Sequence, residues 1–472
     1  MPPPSSQTVD VDVEYLDANG DGVARHRGLT LTIPFVIPGE RVRVHPERTG
    51  AASVVEILRA SPHRVAPKCR HFGPCGGCAW QHIAYPEQLA LKTALVQRLV
   101  RETVPRAPAV LPTLAPCAPA EDVAEPLDPQ APWGYRQKVH FVFAPADGGR
   151  GAQRPGTLVM GHYARGSRRV VPVQECPVHD ARGNALAFAL KTSLDKARVQ
   201  ATGVSVTSRN RRDTRPGVLR SVAVRVGLGT NELQTTLVIT DDSDKGLRTA
   251  TRRLLGSAAT PTSLHINLHP RQDAFIFGSD TRRIAGEARL REEVAGTAFL
   301  ISPTAFFQTN VRAADALVGL VTSAIPQGAP VLDLYAGAGL FALPLARAGH
   351  QVLAVEENRD AVAYGEVSRR LNRIDEAWCR FVAQPVEVAL RRIRSAEVII
   401  LDPPRSGCSP EVLDELHRLQ PQRIVYVSCN PEALARDLGA LTQQGVRILS
   451  IQPVDMFPHT SHVETVVTMA RG

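Results

Sequence analysis

The chain reads AEVIILDPPRSG at 396–407 and, after a helical interval, RIVYVSCNPEALARD at 423–437. The runs from Val398 to Leu401 and from Ile424 to Val427 are short, unbroken and rich in β-branched residues, the pattern of strands buried on both faces. Each run stops at a turn with polar or reactive side chains, so Asp402 and Cys429 are expected at the carboxyl ends of two strands. In an open α/β sheet that edge is where ligands bind. Cys429 is followed by Asn430-Pro431 and a helix, whose N-terminus would favour the thiolate. A cysteine considered alone is more often a buried core residue, so its neighbours must decide the reading.

Working outward, the alternation of strands and helices is strict from residue 329 onward. PVLDLY (330–335) precedes the turn and helix AGAGLFALPLARAG (336–349). QVLAVE (351–356) precedes the helix NRDAVAYGEVSRRLN (358–372), and RFVAQ (380–384) precedes PVEVALRRI (385–393). The two quoted strands follow, and RILSIQPVDM (447–456) with VETVVTM (463–469) makes a terminal hairpin. This is a βαβ series, hence a doubly wound Rossmann-like α/β domain over 310–472. Its glycine turn, Gly337-Ala338-Gly339, and Glu356 at the end of the second strand suit a nucleotide-like cofactor: glycines permit close backbone approach and a carboxylate meets ribose hydroxyls. NAD, FAD and S-adenosylmethionine all need those features. Asp333, just before the glycines, is placed to meet a cationic cofactor, and a Cys and an Asp at later strand ends have no evident use in hydride transfer.

Upstream, residues 7–60 alternate as short strands (VDVDVEYL, LTLTIPFVI, ERVRVHP, ASVVEIL) around Asn19-Gly20-Asp21-Gly22 and Pro38-Gly39 turns, which suggests a small OB-type β-barrel. Arg25, His26, Arg27, Arg41 and Arg43 give it charge, with few aromatics for base stacking. In PKCRHFGPCGGCAWQH (67–82), Cys69, Cys75 and Cys78 lie so close that a shared metal explains them best. Cys176, in ECPVH (175–179), is the best fourth ligand, and an all-sulfur set suits an iron–sulfur cluster or zinc. Residues 83–103 have helical periodicity, and 104–132 form a Pro-rich loop in which Cys117 looks incidental. Strand-like runs LVMGHY, SVAVRVGL, LQTTLVIT, SLHINLH and AFIFG, with single helical intervals such as 181–197, make 61–309 a central α+β domain. Arg209, Arg211, Arg212, Arg215 and Arg220 form a basic segment, read as a solvated loop.

A length of 472 residues calls for two or three domains, and the formal net charge of +9 favours a polyanionic partner. There is no signal-like start and no long apolar run, so a cytoplasmic protein without membrane attachment is expected, acting as a monomer. Beside a methyl donor, a Cys, an Asp and a late Glu have a coherent use. Carbon 5 of uracil is a poor nucleophile until a thiolate adds to carbon 6, and a base must then remove the carbon 5 proton. Glu464, at the start of the last strand, lies in the right topological region for that base.

The set FFQTN (306–310), DLYAGAG (333–339), LDPPRSG (401–407), YVSCNPEALARDL (426–438) and HVETV (462–466) closely resembles the RNA (uracil-5-)methyltransferases. YRQKVHF (135–141), GHYARGS (161–167) leading to ECPV, the three-Cys motif and the N-terminal β module, which looks like a TRAM domain, extend the resemblance over most of the chain. It implies S-adenosylmethionine-dependent methylation, with Cys429 as nucleophile and Glu464 as base. It also implies cofactor contacts at Gln308, Tyr335, Glu356 and Asp402, and a [4Fe–4S] cluster on Cys69, Cys75, Cys78 and Cys176. In that family the tRNA-specific branch common in enteric bacteria lacks both the TRAM-like module and the cysteine cluster, so large-subunit ribosomal RNA is the first expected partner and tRNA the second. A buried target uridine must leave its stack, which favours a loop or bulge. Two rivals fit less well. An amino-group methyltransferase usually has an aromatic after Asp-Pro-Pro, where this chain has Arg405, and a non-catalytic RNA-binding protein leaves Cys429 and Glu464 without a use.

Overall fold

The computed structural model describes residues 8–115, 132–145, 158–202, 205–207, 214–271, 273 and 275–472. Cys117, most of the Pro-rich loop, Arg209, Arg211, Arg212 and the side chain of Arg215 lie outside them.

The C-terminal strands are β1 (Val331–Leu334), β2 (Val352–Glu356), β3 (Cys379–Ala383), β4 (Val398–Leu401), β5 (Arg423–Ser428), β6 (Val446–Val454) and β7 (Glu464–Arg471). They form one sheet in the order β3-β2-β1-β4-β5-β7-β6, parallel from β3 to β5, with β7 antiparallel to both β5 and β6. Successive residues of each strand serve opposite faces. Val331, Val398, Ile400, Val425 and Val427 join one core with the helix Val311–Ser323, while Leu332, Leu334, Ile399, Leu401 and Tyr426 join another with the helices Pro410–Leu419 and Pro431–Gln443. Two-sided burial explains why β4 and β5 read as unbroken apolar runs. The helix Tyr85–Thr103 packs in the second core through Val96 and Val100, and its Thr103 hydroxyl donates to the Ala435 carbonyl at 2.9 Å.

The central sheet orders its strands as 280–286, 263–268, 233–239, 219–226, 138–145, 158–163 and 170–172; only the pairing of 233–239 with 263–268 is parallel. Helices Ala181–Lys196 and Lys245–Leu255 cover it through Leu186, Leu190, Leu247 and Leu254. Two details correct the sequence reading. The apolar run around Phe275–Gly278 is not a strand; the edge strand is the more polar Asp280–Gly286, chosen by its pairing with Ser263–Leu268. Arg220 is not part of a solvated loop: it begins a buried strand and donates to the His269 carbonyl at 2.9 Å.

At the N-terminus, two three-stranded antiparallel sheets enclose Val11, Ala24, Leu31, Ile33, Val42 and Val44. One strand, Gly22–His26, was hidden in the sequence by its mixed small and charged residues. Arg43 pairs with Asp10 at 2.8 Å and Glu56 at 3.0 Å, and Arg41 with Asp12 at 3.3 Å, so these two cations are partly neutralised within the module. Among the described residues no helix is long and apolar enough to cross a membrane.

Candidate active site and cysteine centre

The parallel registers bring the expected residues to one sheet edge. Leu334 pairs with Leu401, and Leu401 with Tyr426, so Tyr335, Asp402 and the end of β5 share a rim. Tyr335 takes a left-handed backbone, φ 62°, which turns the chain sharply out of β1. Gly337 and Gly339 follow at φ 55° and 88°; a Cβ on Gly339 would stand 2.7 Å from the Phe381 ring. Glu356 holds this turn, accepting from Gly337 N at 2.9 Å and from Asn358 N at 2.8 Å.

Four carboxylates converge here. Asp333 is fully buried; the Ala342 N–H faces its carboxyl and opposes the upward shift, but neither oxygen is held in a well-formed hydrogen bond. Burial pushes its carboxyl far up, and the charges of Asp402 and Glu356 add to the shift. Asp402 is pushed up to about 7 by burial and then by Glu356. Glu464 is pushed up to about 8, by burial first and Asp402 second, with Arg405 opposing. Orphaned buried carboxylates are costly unless a cation meets them. Asp402 neighbours both Asp333 and Glu464, and so joins the glycine-turn half of the site to the Cys429 half.

Cys429 directly follows β5, and Asn430 caps the helix that comes next, its side chain accepting from Glu432 N at 3.1 Å while donating to the Arg405 carbonyl at 2.8 Å. The expected thiolate-favouring environment is not found. Burial, then Glu464 and Asp402, push the thiol up to about 11, against the opposing charge of Arg405. A helix N-terminus is worth less than desolvation beside two carboxylates.

Arg405 Nη2 lies 3.1 Å from His462 Nδ1, and its charge opposes the upward shifts of Cys429 and Glu464. Gln308 is half-buried in the segment 302–310, whose Ala305 carbonyl accepts from Arg225 at 2.9 Å and whose Thr309 carbonyl accepts from Gln137 N at 2.7 Å. A separate cavity of about 800 Å³ touches Tyr335 but lies toward Glu387, Asp414 and Arg436, away from Cys429 and Glu464.

Cys69, Cys75, Cys78 and Cys176 come together elsewhere, lining one cavity of about 50 Å³. Four sulfurs suit an iron–sulfur or zinc centre, but imidazole nitrogens share the lining with them. Burial pushes Cys78 up to about 11 and Cys176 up to about 12. His162 and His179 line the same cavity, and their ring nitrogens and the Cys176 sulfur lie within 4.8 Å of one another. The sequence offered only their closeness to GHYARGS and ECPVH as a signal.

A glycine turn after β1, carboxylates gathered at the same sheet edge and a β7 antiparallel to β5 define the fold of a Rossmann-like methyltransferase. Comparison with known proteins narrows this. Residues 293–472 match the family model of tRNA (Uracil-5-)-methyltransferases and residues 6–49 the TRAM domain. An uncharacterized RNA methyltransferase of Gloeobacter violaceus is 37% identical, covering 99% of this chain and 97% of its own, and one of Thermotoga maritima is 32% identical over 98% and 99%. The structure of the Pyrococcus abyssi tRNA (uracil-54, C5)-methyltransferase in complex with S-adenosyl-L-homocysteine superposes with a TM-score of 0.73, at 25% identity, over 98% of this chain and 99% of that one. The chain belongs to the RNA (uracil-5-)methyltransferase family.

Proposed function

We propose that this protein methylates carbon 5 of a uridine in RNA through a covalent adduct between Cys429 and carbon 6 of the uracil. The observation that carries the reading is the β5–β7 register, which sets Cys429 and Glu464 side by side next to the carboxylate cluster. Cys429 gives up its thiol proton to solvent and forms the S–C6 bond, and the π electrons move onto carbon 5 and the adjoining carbonyl. Bound S-adenosylmethionine supplies the methyl group that carbon 5 acquires. Glu464 then takes the carbon 5 proton; the electron pair of that bond re-forms the 5,6 double bond and expels Cys429 as thiolate. Asp333, Asp402, Tyr335, Gln308, Gly337, Gly339 and Glu356 would hold the cofactor, and the carboxylates would supply negative charge for its cationic groups.

Cys69, Cys75, Cys78 and Cys176 would hold a [4Fe–4S] cluster, which would tie the three stretches that carry them together. The substrate is large-subunit ribosomal RNA, because a TRAM module and a cysteine centre accompany the ribosomal branch of the family. The second reading is tRNA, favoured by the name and full-length overlap of the Pyrococcus abyssi neighbour. Mapping 5-methyluridine in ribosomal RNA and tRNA from cells with and without the gene decides between them, and no lost 5-methyluridine in either RNA would sink both.

A further inference from the structure

The turn between β6 and β7 ends at Glu464, and it is gripped by residues from the far end of the chain. His459 sits on this turn in a left-handed conformation, φ 64°, which a non-glycine residue keeps only when its surroundings hold it there. Its carbonyl accepts from Ala79 N at 3.1 Å and Trp80 N at 2.9 Å, directly after Cys78. Its N–H donates to Gln88 Oε1 at 2.8 Å. Gln88 is fully buried, and its Nε2 donates to the Ile83 carbonyl at 2.8 Å and the Trp80 carbonyl at 3.1 Å. One amide therefore binds the cysteine loop, the start of the helix Tyr85–Thr103 and the turn. The His459 ring stacks on Trp133 with centroids 4.0 Å apart, and Tyr135 donates its hydroxyl to the Pro458 carbonyl at 3.1 Å. Lys92 and Tyr85 fix Asp455 at the start of the same turn, at 2.6 and 2.9 Å.

We propose that Gln88 is a positioning residue for Glu464: by holding His459 in its left-handed conformation, and with Tyr135 at Pro458, it fixes where the turn delivers the glutamate carboxylate. The inference rests on the reading of Glu464 as the base that removes the carbon 5 proton. A structural residue would lower stability and all steps alike. A positioning residue for the base slows elimination alone, so the methylated enzyme–RNA adduct must accumulate.

The test uses the full-length protein, RNA containing the target uridine and S-adenosylmethionine with a labelled methyl group. Gln88→Met keeps the side-chain length and removes both the acceptor and the donors. Its turnover should fall by roughly 10- to 100-fold, with cofactor affinity unchanged and a denaturation-resistant, methyl-labelled protein–RNA band. Tyr135→Phe, which loses only the hydroxyl, should show the same band more weakly, and decides the matter if Gln88→Met does not fold. Glu464→Gln is run alongside. If it traps the adduct while neither turn variant does, the positioning role is overturned and the base assignment stands. If Glu464→Gln traps nothing, the base assignment fails and the positioning role with it.

Discussion

Ser428 and Thr465 are the last pair of the β5–β7 ladder, and Cys429 and Glu464 adjoin that pair, the first just past the end of β5 and the second at the first residue of β7. Backbone pairing of adjacent strands thus brings the two chain segments together. The placement of each side chain is left to what flanks its strand end: the Asn430 cap for the cysteine, the β6–β7 turn for the glutamate.

Cys429→Ala removes the nucleophile and should lower methyl transfer by at least about 10³-fold. The proposed cofactor residues lie on the Asp333 side of Asp402, so S-adenosylmethionine should bind with wild-type affinity by calorimetry. Residual turnover near wild type would eliminate a covalent route.

Glu464 gives the reaction a pH signature. Its carboxyl, pushed up to about 8 by burial and Asp402, must be ionised to accept a proton. Activity at low cofactor concentration should therefore rise as pH passes through about 8 and, because the Cys429 thiol must also lose its proton, go on rising above it. A bound cation favours the ionised form, so the corresponding limb at saturating cofactor should lie at lower pH. Glu464→Gln should lose this limb and trap the adduct. A rate that falls as pH rises from 6 to 8 would show that the titrating group works as an acid instead.

Much of this site was legible because its signals are local. An unbroken apolar run ending in Asp or Cys marks a buried strand and its edge, and paired glycines mark a close turn. The pairing of Cys429 with Glu464 could be anticipated only through topology, since strand order decides which ends meet. The contacts of Gln88 with His459 were not legible at all. They join residues far apart in sequence through one amide, with no periodicity or spacing to announce them. The thiol environment was misjudged for a related reason: helix capping can be read from Asn430-Pro431, but the carboxylates that outweigh it come from other strands.

The carboxylate cluster ties stability to cofactor binding. Carboxyls raised above their unfolded values stabilise the fold while protonated, and that contribution is lost as pH rises through about 7 for Asp402 and about 8 for Glu464. The free protein should melt at lower temperature at pH 8.5 than at pH 6, and S-adenosylmethionine should reduce the difference. Through Asp402 alone, affinity for the cofactor should rise about tenfold from pH 6 to pH 8. S-Adenosylhomocysteine, which lacks the sulfonium charge, should show a weaker rise. Equal pH dependence for the two ligands would mean that the cluster does not face the sulfonium.

The cysteine centre makes a prediction of composition. Four sulfurs from three separate stretches, Cys69, Cys75–Cys78 and Cys176, line one small cavity, and Cys176 reaches it from beyond the central sheet's first strands. Protein purified without oxygen should be brown and carry about four irons per chain. Cys176→Ser should lose most of that iron, whereas Cys408→Ser, a buried cysteine bonded to Tyr426 rather than to this cavity, should keep it. A colourless protein with one zinc would replace the cluster by a structural zinc site, in which His162 or His179 could take the place of a sulfur. Because Ala79 and Trp80 pass directly from Cys78 to the His459 carbonyl, loss of the metal should also loosen the β6–β7 turn, read as faster hydrogen exchange at 455–463 with exchange in β1 and β4 unchanged.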